Sequence, residues 1–178
     1  MNKAIFLDRD GTINVDYGYV YQPNRLVLKK GVIPGLLKLK ELGYLLIIIT
    51  NQSGIGRNYY SESQFYDFQE TLAQFLKSYN ITIDEVYYCP HIEADNCNCR
   101  KPKLKMFYDA IEKYNIDLSN SYAIGDNLRD VAICEEEPIT GILINKEHKD
   151  TKYFQCHEFD DAVKYIVNKD KEKGTISI

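Results

Sequence analysis

The chain has 178 residues, 44% of them hydrophobic and 27% charged, which suits one ordinary soluble domain able to bury a real core. Lys and Arg total 22 against 26 Asp and Glu, and the resulting charge of −4 argues against a general nucleic-acid binder or a protein that coats anionic membranes. The longest strongly apolar run, Leu45 to Ile49, is too short to cross a bilayer, and no basic, apolar, small-residue series opens the chain. A cytoplasmic monomer without membrane or nucleic-acid partners is expected.

Residues 3–7 read as a first strand, ending in Asp8-Arg9-Asp10-Gly11-Thr12. Residues two apart on a strand face the same side, so two carboxylates can leave the sheet edge into one small volume. Their repulsion is relieved by a cation between them or by a shared proton, and a magnesium site with a nucleophile is the reading taken here. A long connection over 13–30 follows, of the length that is usually functional. The spacing of Val32, Ile33, Leu36, Leu37, Leu39 and Leu42 predicts a helix over 31–42, stopped by Gly43. Leu45 to Ile49 is a β-favouring run of the kind covered on both faces in a parallel sheet. Ser61 and Gln64 make a capping box for a helix whose Phe65, Phe68, Leu72, Phe75, Leu76 and Tyr79 are expected to face the core.

Residues 85–89 read as a third strand, and Pro102 as the first turn of a helix reaching Tyr114. A short strand over 122–124 ends in Gly125-Asp126. A helix over 128–136, a strand over 141–144 and a closing helix over 159–167 complete the pattern. A single domain over 1–168 is expected, with a frayed, charged tail over 169–178. Alternating strands and helices predict a doubly wound, three-layer parallel sheet without a separate cap domain. In such a sheet ligands bind at the carboxyl ends of the strands, so Asp8 and Asp10, Thr50 to Ser53, and Asp126 should meet on one rim. Phosphoryl transfer needs such a set of hydroxyl donors, an ammonium group and a divalent cation around three charged oxygens.

Cys89-Pro90-His91 followed by Cys97-Asn98-Cys99 offers three thiolates and an imidazole at a spacing that fits tetrahedral structural zinc. The next residues are Arg100 and Lys101, which such a metal would pin toward the phosphate site.

Asp8-x-Asp10-x-Thr12, Thr50 after a strand, Lys101 ahead of a helix, and Gly125-Asp126 with Asp130 resemble the four motifs of haloacid dehalogenase-type phosphatases. The resemblance covers residues 3–145. It implies that Asp8 attacks phosphorus, that Asp10 serves as general acid and base, and that Thr50 and Lys101 stabilise the phosphoryl group. It further implies Mg²⁺ on the Asp8 carboxylate, the Asp10 carbonyl and Asp126, with Asp130 as support. Within the superfamily, the resemblance is to the zinc-containing group of heptose bisphosphate and histidinol phosphate phosphatases. Phe6 to Asp16, Gly18-Tyr19-Val20 and Thr50 to Ile55 look most like the heptose enzymes, which implies removal of the 7-phosphate from a heptose bisphosphate on the way to nucleotide-activated heptose. That resemblance places Asp16, Tyr17, Gly18, Tyr19, Asn51, Gln52, Ser53, Arg100 and Asn127 around a small phosphorylated sugar or alcohol. Two departures stand out: Asn127 replaces a frequent Lys, and Glu135-Glu136-Glu137-Pro138 replaces small residues. The short zinc loop is shared with the histidinol phosphate enzymes, so histidinol phosphate is the alternative substrate. Outside enzymes, a receiver-type module that holds a phosphoryl group is the rival reading.

Overall fold

The computed structural model describes residues 1–175. Six parallel strands form one sheet in the order β3-β2-β1-β4-β5-β6, where β1 is Ala4–Leu7, β2 Leu45–Asn51, β3 Glu85–Cys89, β4 Tyr122–Gly125, β5 Thr140–Ile144 and β6 Phe154–Cys156. Alternate residues of each strand feed opposite faces: Ile5 and Leu7 enter one core, Ala4 and Phe6 the other. The first core is covered by α1 (Val32–Glu41), α3 (Glu62–Lys77) and α5 (Phe159–Glu172). The second is covered by α4 (Lys105–Tyr114) and by two 3-10 turns, Leu128–Asp130 and Ala132–Glu135. This is the three-layer architecture expected, with no separate cap among the described residues. No helix among them is long and apolar enough to cross a membrane.

Several local expectations are met by named contacts. Ser61 accepts from the Gln64 amide at 3.2 Å while the Gln64 side chain accepts from the Ser61 amide at 2.8 Å, and the capping box opens α3. Others need correction. Phe75 and Tyr79 are 44% and 46% exposed and lean on each other: Leu76 keeps the core-facing position, Phe75 lies at the flank of the stripe, and Tyr79 falls beyond the last residue of α3. α4 begins at Lys105, since residues 101–103 turn rather than coil. Residues 128–136 wind as 3-10 turns, the tighter geometry that fits between β4 and the Glu135–Pro138 stretch. The four-residue helix α2 (Ser53–Gly56) and the edge strand β6 were not legible, being too short for a periodic signal.

Of the frayed tail expected over 169–178, residues 176–178 lie outside the described residues, and the part before them is corrected most sharply. α5 runs on through Glu172, and Asp170 is fully buried. Its carboxylate accepts from Tyr44 at 2.7 and 2.8 Å and from Tyr122 at 3.0 Å, with Lys3 at 3.6 Å. The last turns of α5 are thereby tied to Tyr44, to Tyr122 of β4 and to Lys3 just ahead of β1. Asp170→Ala strands two buried hydroxyl donors and is expected to cost about 2–4 kcal/mol, read as a lower urea midpoint at unchanged slope.

Candidate active site

The strand β1 delivers Asp8 to the carboxyl edge, where its amide donates to the Ile124 carbonyl at 2.9 Å and extends the ladder by one rung. A tight turn follows, in which the amides of Thr12, Ile13 and Asn14 all point at the Arg9 carbonyl, at 3.3, 2.8 and 3.2 Å. Gly11 adopts φ +87°, and a Cβ there would lie 2.5 Å from an Asp126 carboxylate oxygen. Glycine is therefore required twice over, for the left-handed backbone and for the space that Asp126 occupies. Gly125 makes room in the same way at the end of β4, since a Cβ there would sit 2.1 Å from Cβ of Asp130.

These two missing side chains let Asp8, Asp126 and Asp130 gather with carboxylate oxygens within 4.8 Å of one another. Lys101 answers the charge. Its ammonium, nearly all buried, donates to Asp8 at 2.9 Å, to Asp130 at 2.7 Å and to the Ile49 carbonyl at 2.6 Å. Burial works against that charge, yet Asp130 and Asp8 outweigh it and hold the lysine above its usual range. Burial first, and then the Asp130 carboxylate, push Asp8 up to about 7 against the pull of Lys101. Two ammonium groups, Lys101 and Lys146, the latter 2.5 Å from Asp126, face three carboxylates and leave the cluster short of positive charge. A divalent cation on these hard oxygen donors fits that deficit.

Asp10 does not join the cluster with its carboxylate. It accepts from Arg9 Nε at 3.1 Å and Nη2 at 2.9 Å, from Asn14 at 2.9 Å and from Gln52 at 2.9 Å. Arg9 is completely buried, its guanidinium 4.5 Å from the ring centre of Phe68 and bound also to the Val20 carbonyl at 2.8 Å. Nothing in the sequence distinguishes this arginine from a solvated one. Gln52 is a hub: besides Asp10 it donates to Thr50 at 2.9 Å and accepts from Tyr60 at 2.6 Å. Asn51 clasps the backbone of Lys101 on both sides, donating to its carbonyl at 3.1 Å and accepting from its amide at 3.0 Å.

The cluster opens into a cavity of about 290 Å³ lined by Asp8, Asp10, Asp16, Gly18, Tyr19, Thr50, Asn51, Gln52, Ser53 and Arg100, all expected there, and by Asp126. Tyr17 and Asn127 are not among its lining. Tyr17 lies against Arg25, and Asn127 caps the 128–130 turn by accepting from the Arg129 amide at 3.3 Å. Sequence reasoning missed Arg57, Tyr60, Glu93, Arg129 and Lys146, which line the cavity as well. Lys146 lies 2.5 Å from Asp126, and the His148 ring 3.1 Å from the Asp126 carbonyl. Both come from the β5–β6 connection, whose length gave no hint of the site.

Beside the cavity, Cys89, His91, Cys97 and Cys99 converge. The Cys89, Cys97 and Cys99 sulfurs stand 3.2–3.7 Å apart, and the His91 Nδ1 is 3.3 Å from Cys99 and 3.5 Å from Cys89. A tetrahedron with metal–sulfur bonds of about 2.3 Å has edges of roughly 3.8 Å, so these four atoms approximate the corners of such a cage. No cysteine is in a disulfide.

The family model described as polynucleotide kinase 3 phosphatase matches residues 5–169. The chain belongs to this family of haloacid dehalogenase-like phosphatases. It is 45% identical over 137 residues to D-glycero-beta-D-manno-heptose-1,7-bisphosphate 7-phosphatase of Haemophilus influenzae, covering 74% of each chain. The Campylobacter jejuni D-glycero-alpha-D-manno-heptose-1,7-bisphosphate 7-phosphatase is 41% identical over 172 residues, covering 96% of this chain and 97% of its own. In fold, the chain matches the D,D-heptose 1.7-bisphosphate phosphatase of B. bronchiseptica, solved with magnesium and phosphate, at a TM-score of 0.86 and 24% identity over 94% of this chain and 99% of that one.

Arg9 gives this phosphatase a test of the buried support. Arg9→Lys keeps the charge but cannot present a two-pronged fork to Asp10. Turnover of p-nitrophenyl phosphate is expected to fall about tenfold or more, the scale of one lost charge-assisted contact. Unchanged turnover would show that Asp10 is positioned without it.

Proposed function

We propose that the chain is a Mg²⁺-dependent phosphomonoesterase that removes the 7-phosphate of a D-glycero-D-manno-heptose 1,7-bisphosphate. The observation that carries this is the placement of Asp8, at the mouth of the cavity, between an anchored ammonium and a held second carboxylate, Asp10. In the first step an Asp8 oxygen attacks phosphorus, the bond to the sugar oxygen breaks, and Asp10 gives that oxygen its proton. In the second, Asp10 takes a proton from water as the water oxygen attacks the aspartyl phosphate, and phosphate leaves with Asp8 restored. Lys101 and the Thr50 hydroxyl stand where the equatorial oxygens build up charge. Mg²⁺ would be held by Asp8, Asp126 and the Asp10 carbonyl, and would supply charge neutralisation for the phosphoryl group. Asp130, which shares the carboxylate cluster, is assigned to holding Lys101, as its 2.7 Å contact supports.

Zinc on the Cys89, His91, Cys97 and Cys99 cage is the structural partner in this reading. It would stiffen the loop that carries Arg100 and Lys101 into place. Reduced thiols in that cage suit a cytoplasmic enzyme acting as a monomer within one domain. The relatives' names support the heptose substrate and include both anomers. Supply of nucleotide-activated heptose for lipopolysaccharide is the corresponding role. The formal charge of −4 supports a small substrate over a polynucleotide end. Histidinol phosphate would carry an ammonium group into a rim where Arg57, Arg100, Arg129 and Lys146 outnumber Asp16 and Glu93, which favours the doubly phosphorylated sugar. A receiver-type module is disfavoured by β3, which ends in the metal-cage residue Cys89 where a phosphoacceptor would stand.

Steady-state kinetics on heptose 1,7-bisphosphate, in both anomers, and on histidinol phosphate test the substrate. A preference for heptose is expected, abolished in Asp8→Asn with zinc content intact, and a preference for histidinol phosphate would overturn the assignment. The metal can be tested through pH. With its pKa at about 7 rather than 3.8, Asp8 binds its proton more tightly folded than unfolded. Stability of the metal-free protein therefore declines as pH rises across that window, where an unneutralised charge is created. Added Mg²⁺ is expected to raise the melting temperature more at about pH 8 than at about pH 5.5, where a proton must first be displaced.

A further inference from the structure

The connection between β5 and β6, residues 145–153, reaches over the carboxyl edge of the sheet to the two turns that carry the acids. At Asn145 the backbone enters the left-handed region, φ +69°, which asparagine adopts more readily than most residues. Its side-chain amide donates to the Gly11 carbonyl at 2.7 Å. Three residues on, His148 Nε2 stands 3.1 Å from the Asp126 carbonyl, and since a carbonyl only accepts, the ring donates there. One short segment thus holds a backbone oxygen of the turn after β1 and a backbone oxygen of the turn after β4.

The segment is itself fixed from behind. The Asn145 amide donates to the Cys156 carbonyl at 3.0 Å, and the Gln155 side chain grips the His148 backbone on both sides, accepting from its amide at 2.7 Å and donating to its carbonyl at 2.9 Å. Both anchors belong to β6, which pairs with β5 at the edge of the sheet. The turns that the segment joins are otherwise weakly coupled. The last rung between β1 and β4 is the Asp8 amide on the Ile124 carbonyl, and beyond it no backbone hydrogen bond among the described residues links 9–14 to 126–130. The strand ladder therefore brings the two turns together without fixing how far apart they stand.

We propose that Asn145 and His148 are positioning residues that set the affinity of the site for Mg²⁺, by holding the turn that carries Asp8 and Asp10 at a fixed spacing from the turn that carries Asp126. The inference rests on the phosphatase reading, in which Asp8, the Asp10 carbonyl and Asp126 hold the metal, and deepens it by naming what spaces these donors. Asn145 grips the carbonyl one residue beyond that of Asp10, and His148 grips the backbone of Asp126 itself. Neither side chain lines the cavity that holds Asp8, so neither is a catalytic residue. Mg²⁺ tolerates little departure from octahedral geometry at about 2.1 Å, so a small slip between the two turns costs affinity while the packed sheet beneath stays intact.

The test is titration calorimetry of Mg²⁺ into the zinc-loaded protein, as wild type and as Asn145→Gly, His148→Ala, His148→Gln and Lys146→Met. Glycine suits the φ at 145, so Asn145→Gly removes the donor without straining the backbone. Asn145→Gly and His148→Ala are each expected to weaken Mg²⁺ binding about tenfold or more, the scale of losing a group that orients a metal ligand. His148→Gln keeps a side-chain donor and recovers part of that loss. Lys146→Met leaves both ties in place and removes a cation 2.5 Å from Asp126, so its affinity stays at the wild-type level or rises. At saturating Mg²⁺, turnover of p-nitrophenyl phosphate by Asn145→Gly returns to within about twofold of wild type, a rescue that a general loss of fold would not allow. Unchanged affinity in Asn145→Gly and His148→Ala, or an equal loss in Lys146→Met, would overturn the tie. Failure of the phosphatase reading shows separately, as a protein that binds Mg²⁺ yet turns over no phosphate ester, and the calorimetric comparison then still decides. A wild type that binds no Mg²⁺, or binds it no better than Asp126→Asn, would refute both.

Discussion

Three carboxylates forced into contact are the constraint on which this structure turns. A local turn after β4 brings Asp130 beside Asp126, and only the pairing of β1 with β4 brings Asp8 to them. Such a cluster is costly in a dry environment unless cations enter it. Lys101 supplies one, and its position is secured from three directions, by the two aspartates, by the Ile49 carbonyl and by the Asn51 clasp on its backbone. Lys146 adds a second from the β5–β6 connection, 2.5 Å from Asp126, and the carboxylates still outnumber the ammonium groups.

Around that centre the protein separates rigid support from adaptable recognition. Arg9, Gln52 and Tyr60 form a buried polar network under Asp10, walled by Phe65 and Phe68. Such networks hold geometry well when nearly every member is satisfied. The outer rim, with Arg57, Glu93, Arg100, Arg129 and Lys146, is more exposed and carries most of the cavity's positive charge. The cysteine cage joins the two, since Arg100 and Lys101 directly follow Cys99.

The comparison with solved structures makes the same division. The sheet and its helices superpose on a heptose bisphosphate phosphatase at a TM-score of 0.86 although only 24% of residues are shared. Core packing accepts many apolar combinations, so fold persists as sequence drifts. Substrate choice lives in the loops at the strand ends, and these must be argued residue by residue.

Much of this was written in the chain itself. Asp8 after one apolar strand, Gly125-Asp126 after another, and the Cys89 to Cys99 spacing announce their chemistry, because a strand end or a short loop delivers these side chains to one edge or around one point. The alternating β and α patterns likewise announce the layered sheet, and with it the edge where the acids must meet. What the chain could not announce is which polar residues are swallowed. Arg9 and Asp170 look like ordinary surface charges in sequence, and each acquires its role from a partner 11 to 126 positions away. Phe75 and Tyr79 erred the other way, their spacing predicting burial where Leu76 alone keeps the core-facing position near the end of α3. Periodicity reports which face a residue takes on its own element, and only the packing of elements against one another decides what that face meets.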